Sequence, residues 1–160
     1  LMDGIELSDA WLLDVGFGQG LSLLCAADSK ANVVGLDINE KNDKPLVQAH
    51  RYFPNVNLQE IIIRHGSILS AAVVADLKNL VPNGFDIVHS WGVLHHTGNM
   101  RLALERCAEL IKPGGYFVVS IYNKHWTSRI WRLIKIVYCN SPVFVKKFLV
   151  YLLIQLHLKL

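Results

Sequence analysis

Three glycines two residues apart, Gly16, Gly18 and Gly20, interrupt an otherwise apolar stretch, LLDVGFGQG at residues 12–20. Leu12 and Leu13 lead into Asp14 on one side, and Leu21, Leu23 and Leu24 follow on the other in a helix-like pattern. Strand, glycine loop and helix together open a nucleotide-binding βαβ unit. The turn needs backbone angles that side chains resist, and a bare main chain lets a ligand come close. The helix then offers backbone N–H groups that have no partner within the helix.

The rest of the chain continues this plan. Strand one covers Trp11 to Val15, and a helix runs from Gly20 to about Ser29. Val33 to Asp37, VVGLD, is an apolar run ending in an acid, as a buried parallel strand would. Asp37 follows Gly20 by 17 residues, close to the roughly 20 at which an acid meets ribose hydroxyls in such units. A carboxylate can accept from both hydroxyls of a diol, so the residue type suits the task. Pro45 opens a helix to about Tyr52, and the β-branched triplet Ile61–Ile63 marks a strand over Leu58–Arg64. Ala71–Leu80 is helix-like, and Phe85–Ser90 is the fourth strand. Met100, Ala103, Leu104, Cys107, Ala108 and Ile111 share one face of a helix over Asn99–Ile111. Lys112-Pro113-Gly114-Gly115 stops that helix, and Tyr116–Tyr122 forms a fifth strand. The predicted fold is α/β: a Rossmann-like, doubly wound, mostly parallel sheet with right-handed crossovers and a C-terminal helical segment.

The ligand is narrowed by two details. The dinucleotide fingerprint GxGxxG would place its third glycine at position 21, where Leu21 stands. Asp14 also ends the first strand where an apolar residue would be expected. An acid, any residue, then GxGxG resembles the first motif of class I S-adenosylmethionine-dependent methyltransferases. FDIVHS followed by GVLHH (residues 85–96) and LIKPGGYFVV (residues 110–119) resemble the fourth-strand and helix-to-strand signatures of that family's small-molecule branch, which includes ubiquinone and menaquinone biosynthesis enzymes. The match spans about residues 10–122.

The resemblance implies a class I methyltransferase fold with S-adenosyl-L-methionine as cofactor. Asp14 and the loop residues Gly16, Phe17, Gly18 and Gly20 would hold its aminocarboxyl end. Asp37 would bind the ribose and Ile38 would pack on adenine. Gly66, Ser67 and Ile68 would lie near the exocyclic amine, and Ser90, Trp91 and Gly92 would border cofactor and substrate. Phe17 is bulkier than the small residue common between the first two glycines, and Gln19 replaces a common Ser or Thr. The family's helices before the first strand and its terminal reversed hairpin are not found, so the chain reads as a fragment.

Methyl transfer from a sulfonium asks the protein mainly for proximity and alignment. A base matters only where the acceptor has a proton to lose. His95 and His96 are the candidate catalytic residues, since a histidine can accept a proton near neutrality. The plainer reading has one of them bonding loop backbone. Tyr122, Lys124 and His125 are further substrate-side candidates, whereas His89, among apolar neighbours, reads as a core or strand-end residue. No carboxylate or cysteine stands at ligand spacing beside the His pair, so no metal is expected. Two rival readings are a nicotinamide-dependent reductase and a catalytically silent cofactor-binding module docking to a membrane or partner. Against the reductase stand Leu21, Asp14 and the lack of a Tyr-x-x-x-Lys pattern.

The charge is unevenly distributed. Residues 1–109 hold all 13 acids and 8 of the 16 basic residues, while residues 110–160 hold the other 8 and no acid. The expected division is a cofactor-binding core at 1–123 and a basic, apolar helical extension at 124–160. The foremost reading of that extension is a lid over a small or lipid-like methyl acceptor. The second is contact with an anionic membrane surface. Nucleic-acid binding is disfavoured because the face is too apolar for phosphate tracking. Three scattered cysteines and no visible leader peptide point to reduced thiols in the cytoplasm, with membrane association left open.

Overall fold

The computed structural model describes residues 6–123, 128–147 and 150–151. Five parallel strands form one sheet: β1 (Trp11–Val15), β2 (Asn32–Asp37), β3 (Ile62–His65), β4 (Phe85–Trp91) and β5 (Ile111–Ser120), in spatial order β3-β2-β1-β4-β5. They alternate with the helices α1 (Leu21–Asp28), α2 (Asp43–Ala49), α3 (Ala71–Leu80) and α4 (Met100–Ala108).

Consecutive residues of the central strands feed opposite faces, because side chains alternate along a strand. Leu12, Val33 and Ile87 join Leu23, Leu24 and Leu46 in one buried cluster. Their neighbours Leu13, Val34 and Val88 join Val74, Leu77, Ala103 and Cys107 in the other. α1 and α2 therefore supply one layer and α3 and α4 the other. A sheet buried on both faces explains why its strands read as continuous apolar runs.

Strand order reverses between β1 and β4. In open parallel sheets such a reversal leaves a crevice beyond the carboxyl ends of the strands. The glycine loop follows β1 at that end, and Gly92 and Val93 follow β4. At the opposite end Asp86 accepts from the Trp11 N–H at 2.8 Å and pairs with Lys112, tying β1, β4 and β5 together.

Several boundaries differ from expectation, each for a local reason. Asn57 accepts from the Gln59 N–H at 3.1 Å and caps a 3-10 turn at Leu58–Glu60, so β3 starts only at Ile62. α4 ends at Ala108 and the Leu110 carbonyl bonds the Phe85 N–H, so the chain is already joining the sheet at Ile111. Pairing jumps from Phe85–Ile111 to Ile87–Tyr116, leaving Lys112–Gly115 as a bulge. A Cβ at Gly115 would lie 2.8 Å from the Asp86 carbonyl, so only glycine admits that approach. Pro45 sits at the third position of α2, still in the first turn, where no helical N–H is missed.

Residues up to Tyr122 form one compact unit and residues from Asn123 a second. The second contains α5 (Ser128–Asn140) and is helical again at 143–147 and 150–151. At 100° per residue Ile130, Trp131, Leu133, Ile134, Val137 and Tyr138 share one side of α5, while Arg129, Arg132 and Lys135 lie on the other. Among the described residues no helix is long and apolar enough to cross a membrane. Lys124, His125 and the far end of the expected second tail helix lie outside the described residues.

Candidate functional site

The glycine loop divides the crevice into two clefts. The larger, about 400 Å³, is lined by Val15, Gly16, Gly18, Leu36, Asp37, Ile38, Gly66, Ser67, Ile68, Val93, His96 and Thr97. The smaller, about 270 Å³, lies on the other side of the loop against Asp14, His89, Trp91 and the first turn of α1.

Each glycine serves the loop differently. Gly16 has φ +80°, and a Cβ there would lie 2.5 Å from Val93 Cγ2. Gly20 has φ +77° and caps α1 without any side-chain bond, so the first-turn N–H groups stay open. Gly18 has φ +54° and open space where a Cβ would project. Phe17 is buried in the core beneath the loop against Gly35. Its bulk thus anchors the loop from below, and it reaches the smaller cleft without leaving the core.

In the larger cleft Asp37 is buried and held from three directions. Its Oδ2 accepts from the Gly18 N–H at 3.1 Å and from Asn42 Nδ2 at 2.9 Å, and its Oδ1 accepts from the Asn39 N–H at 2.8 Å. Asn42 was not foreseen as a site residue; the spacing Asp-x-Asn-x-x-Asn was the available signal. Ile38, beside this acid, is 76% exposed. Gly66 donates to the Asp37 carbonyl at 2.9 Å, and Ser67 Oγ accepts from the Leu69 N–H at 3.2 Å, closing a turn at the cleft wall. Ile68 lines the same wall from the core.

In the smaller cleft Asp14 is 2% exposed and His89 7%. His89 Nδ1 lies 2.8 Å from Asp14 Oδ1, while Asp14 Oδ2 is buried with no hydrogen-bond partner. The Trp91 ring stacks near His89 at 6.4 Å and is half exposed. Ser90 departs from expectation. It is fully buried and its hydroxyl donates to the Val15 carbonyl at 2.9 Å, so its side chain ties β4 to β1 instead of reaching a ligand.

Beyond β4 the chain turns through Gly92 (φ +72°) and a 3-10 turn at Leu94–His96. The missing side chain at Gly92 lets the Tyr122 hydroxyl approach. The His95 ring packs 4.8 Å from that of Tyr122 and 4.0 Å from that of His96. Both His95 ring nitrogens are buried without a partner. Burial, and then the charge on His96, hold His95 below the usual histidine value. His96 is exposed and lines the larger cleft. Among the described residues no three His, Cys, Asp or Glu side chains group closely enough to hold a metal.

A family profile described as a methyltransferase domain matches residues 4–142. The ubiquinone biosynthesis O-methyltransferase of Dechloromonas aromatica is 33% identical over 130 residues, covering 81% of this chain and 52% of that protein. The mitochondrial ubiquinone biosynthesis O-methyltransferase of Rattus norvegicus is 31% identical over 121 residues, covering 76% of this chain and 33% of that one. The chain thus spans about half, or less, of the curated relatives it matches. The structure of PKMT2 from Rickettsia typhi in complex with AdoHcy superposes with a TM-score of 0.62 at 22% identity, over 84% of this chain and 25% of that one, and shows a shared fold.

Proposed function

This chain belongs to the methyltransferase-domain family and has the class I methyltransferase fold, and from that premise we propose that it binds S-adenosyl-L-methionine and transfers the methyl group to a small or lipid-like acceptor. One observation carries the reading: the loop separates a cleft with a ribose-type acid from a cleft with a buried, unpartnered carboxylate oxygen. A nucleoside with an amino-acid end matches both clefts, whereas a dinucleotide brings no ammonium to the second.

The cofactor supplies a methyl group on a sulfonium, already activated for displacement. The chain supplies position. Asp37 takes ribose hydroxyls, Ile38 and Ile68 flank the base, and Ser67 stands at its edge. Asp14 Oδ2 accepts from the ammonium, and the uncapped first turn of α1 offers N–H groups to the carboxylate. Such alignment is worth up to about 7–11 kcal/mol in favourable cases. Where the acceptor atom carries a proton, His95 and His96 are the candidate bases. His96, exposed on the larger cleft, can reach such a proton, whereas the ring nitrogens of His95 are buried. Calorimetry with S-adenosylmethionine and S-adenosylhomocysteine, with NADH as control and Asp37→Ala as the negative variant, tests the reading. Saturable binding of the first two, lost in the variant, supports it. NADH binding in their place favours the reductase.

The lipid-like side of the acceptor class is supported by α5, whose apolar stripe, bordered by Trp131 and Tyr138, stands opposite Arg129, Arg132 and Lys135. That pattern suits a helix lying at an anionic membrane surface. Co-sedimentation with phosphatidylglycerol vesicles, absent with pure phosphatidylcholine, is the expected result. No sedimentation with either removes the membrane contact.

A further inference from the structure

We propose that His89 makes the smaller cleft selective for an α-ammonium group, and hence for a nucleoside that carries an amino-acid end over one that lacks it. The proposal rests on the cofactor reading above and assigns the residue that enforces it.

His89 and Asp14 stand opposite each other in the β1–β4 register, at the end of the sheet where the glycine loop begins. Both are buried, Asp14 between Leu13 and Val15 and His89 between Val88 and Ser90. With Asp14 ionised, His89 donates from Nδ1 to Oδ1 over 2.8 Å. That leaves Asp14 Oδ2, buried and without a protein partner, as the acceptor the pair has to offer.

A buried acceptor without a partner costs free energy. A staple between β1 and β4 needs only Oδ1 and leaves Oδ2 unexplained. An ammonium group answers the arrangement: it is compact, cationic, and brings donors to that carboxylate oxygen. The half-exposed Trp91 ring lines the same cleft, and an aromatic face favours a cation. A metal ion is a poorer match, because no third ligand stands nearby among the described residues. His89 is thus a positioning residue: through Nδ1 it fixes Asp14 by one oxygen and leaves Oδ2 for the ligand.

The test is calorimetric and uses the chain as it stands. S-Adenosylhomocysteine and 5′-deoxy-5′-methylthioadenosine share the adenosine thioether, and only the first has the amino-acid end. His89→Leu removes both ring nitrogens. His89→Asn keeps an amide N–H near the Nδ1 position on a shorter side chain. Wild type is expected to bind the homocysteine compound more tightly. His89→Leu should weaken that binding about 10–100-fold, leave methylthioadenosine within about twofold, and place His89→Asn between. If the Leu variant does not fold, His89→Asn alone decides by the ratio of the two affinities. Equal weakening of both nucleosides, or no weakening of either, assigns His89 to the strand pair alone and leaves the cofactor reading standing. Failure of the wild type to bind either nucleoside overturns both.

Discussion

Replacing Asp37 with asparagine keeps the size of the side chain and removes its charge. The consequences can be worked from three distances. Oδ2 accepts from Gly18 N–H at 3.1 Å and Asn42 Nδ2 at 2.9 Å, and Oδ1 from Asn39 N–H at 2.8 Å. These use three of about four acceptor positions on a carboxylate, leaving one on Oδ1 for a ligand. An amide NH2 in place of Oδ2 would face two donors, and in place of Oδ1 only one. The second placement wins, and the Asn39 N–H loses its acceptor. Asn39 is exposed, so that N–H can turn to water and its cost stays near the lower end of about 1–3 kcal/mol. The two remaining bonds lose charge assistance, at about 0.5–1 kcal/mol each. The sum is a loss of about 2–3 kcal/mol, read by urea unfolding. The free acceptor position becomes a donor, so S-adenosylhomocysteine should bind about 10–150-fold more weakly. Stability within about 0.5 kcal/mol of wild type would refute the three-donor network as what holds this acid. Lost stability with unchanged affinity would refute Asp37 as the ribose site.

The two loop glycines should separate stability from binding. Gly16→Ala adds a clash with Val93 to the strain of its positive φ and should cost about 2–4 kcal/mol by urea unfolding, whereas Gly18→Ala carries the positive-φ strain alone, about 1 kcal/mol, and should chiefly weaken nucleoside binding; equal unfolding losses would refute this. Burial pushes the Cys107 thiol up to about 12, while Cys25 and Cys139 are exposed. A thiol reagent should therefore count two cysteines in the native chain and three in urea. The lowered value of His95 means that folding favours its neutral form. Its contribution to stability is whole above the ordinary value of 6.5 and is lost as pH falls through the folded value. NMR titration of the ring should give a midpoint below 6.5, and one at or above it refutes the burial argument.

Much of the fold was legible because a doubly covered parallel sheet leaves a coarse signature. Short apolar runs between helical stretches could hardly be anything else, and β1 and α3 fall where the pattern put them. Misjudged edges lie where a side chain or a contact outbids the run. The Asn57 cap shortened β3 although Ile61–Ile63 read as a continuous strand. The bulge at Lys112–Gly115 depends on how β5 approaches Asp86, a long-range fact invisible in a local stop signal.

In the site, glycine spacing and the strand-end acids could be read directly, since their roles depend on backbone angles and chain distance. Phe17 and Ser90 could not, because whether a residue faces core or cleft depends on strand register and loop path. Phe17 breaks the usual preference for a small residue without blocking the loop, since its ring goes down into the core. His89 illustrates the opposite error. Read alone, a histidine among apolar strand residues is a core residue. Read together with Asp14, it is one of two buried polar residues at the same end of two strands, and such groups must find partners. Buried polar residues on two strands are most simply neighbours in register, and here Asp14 and His89 are paired directly. That pairing satisfies one oxygen of Asp14 and leaves the other buried without a partner beside the smaller cleft.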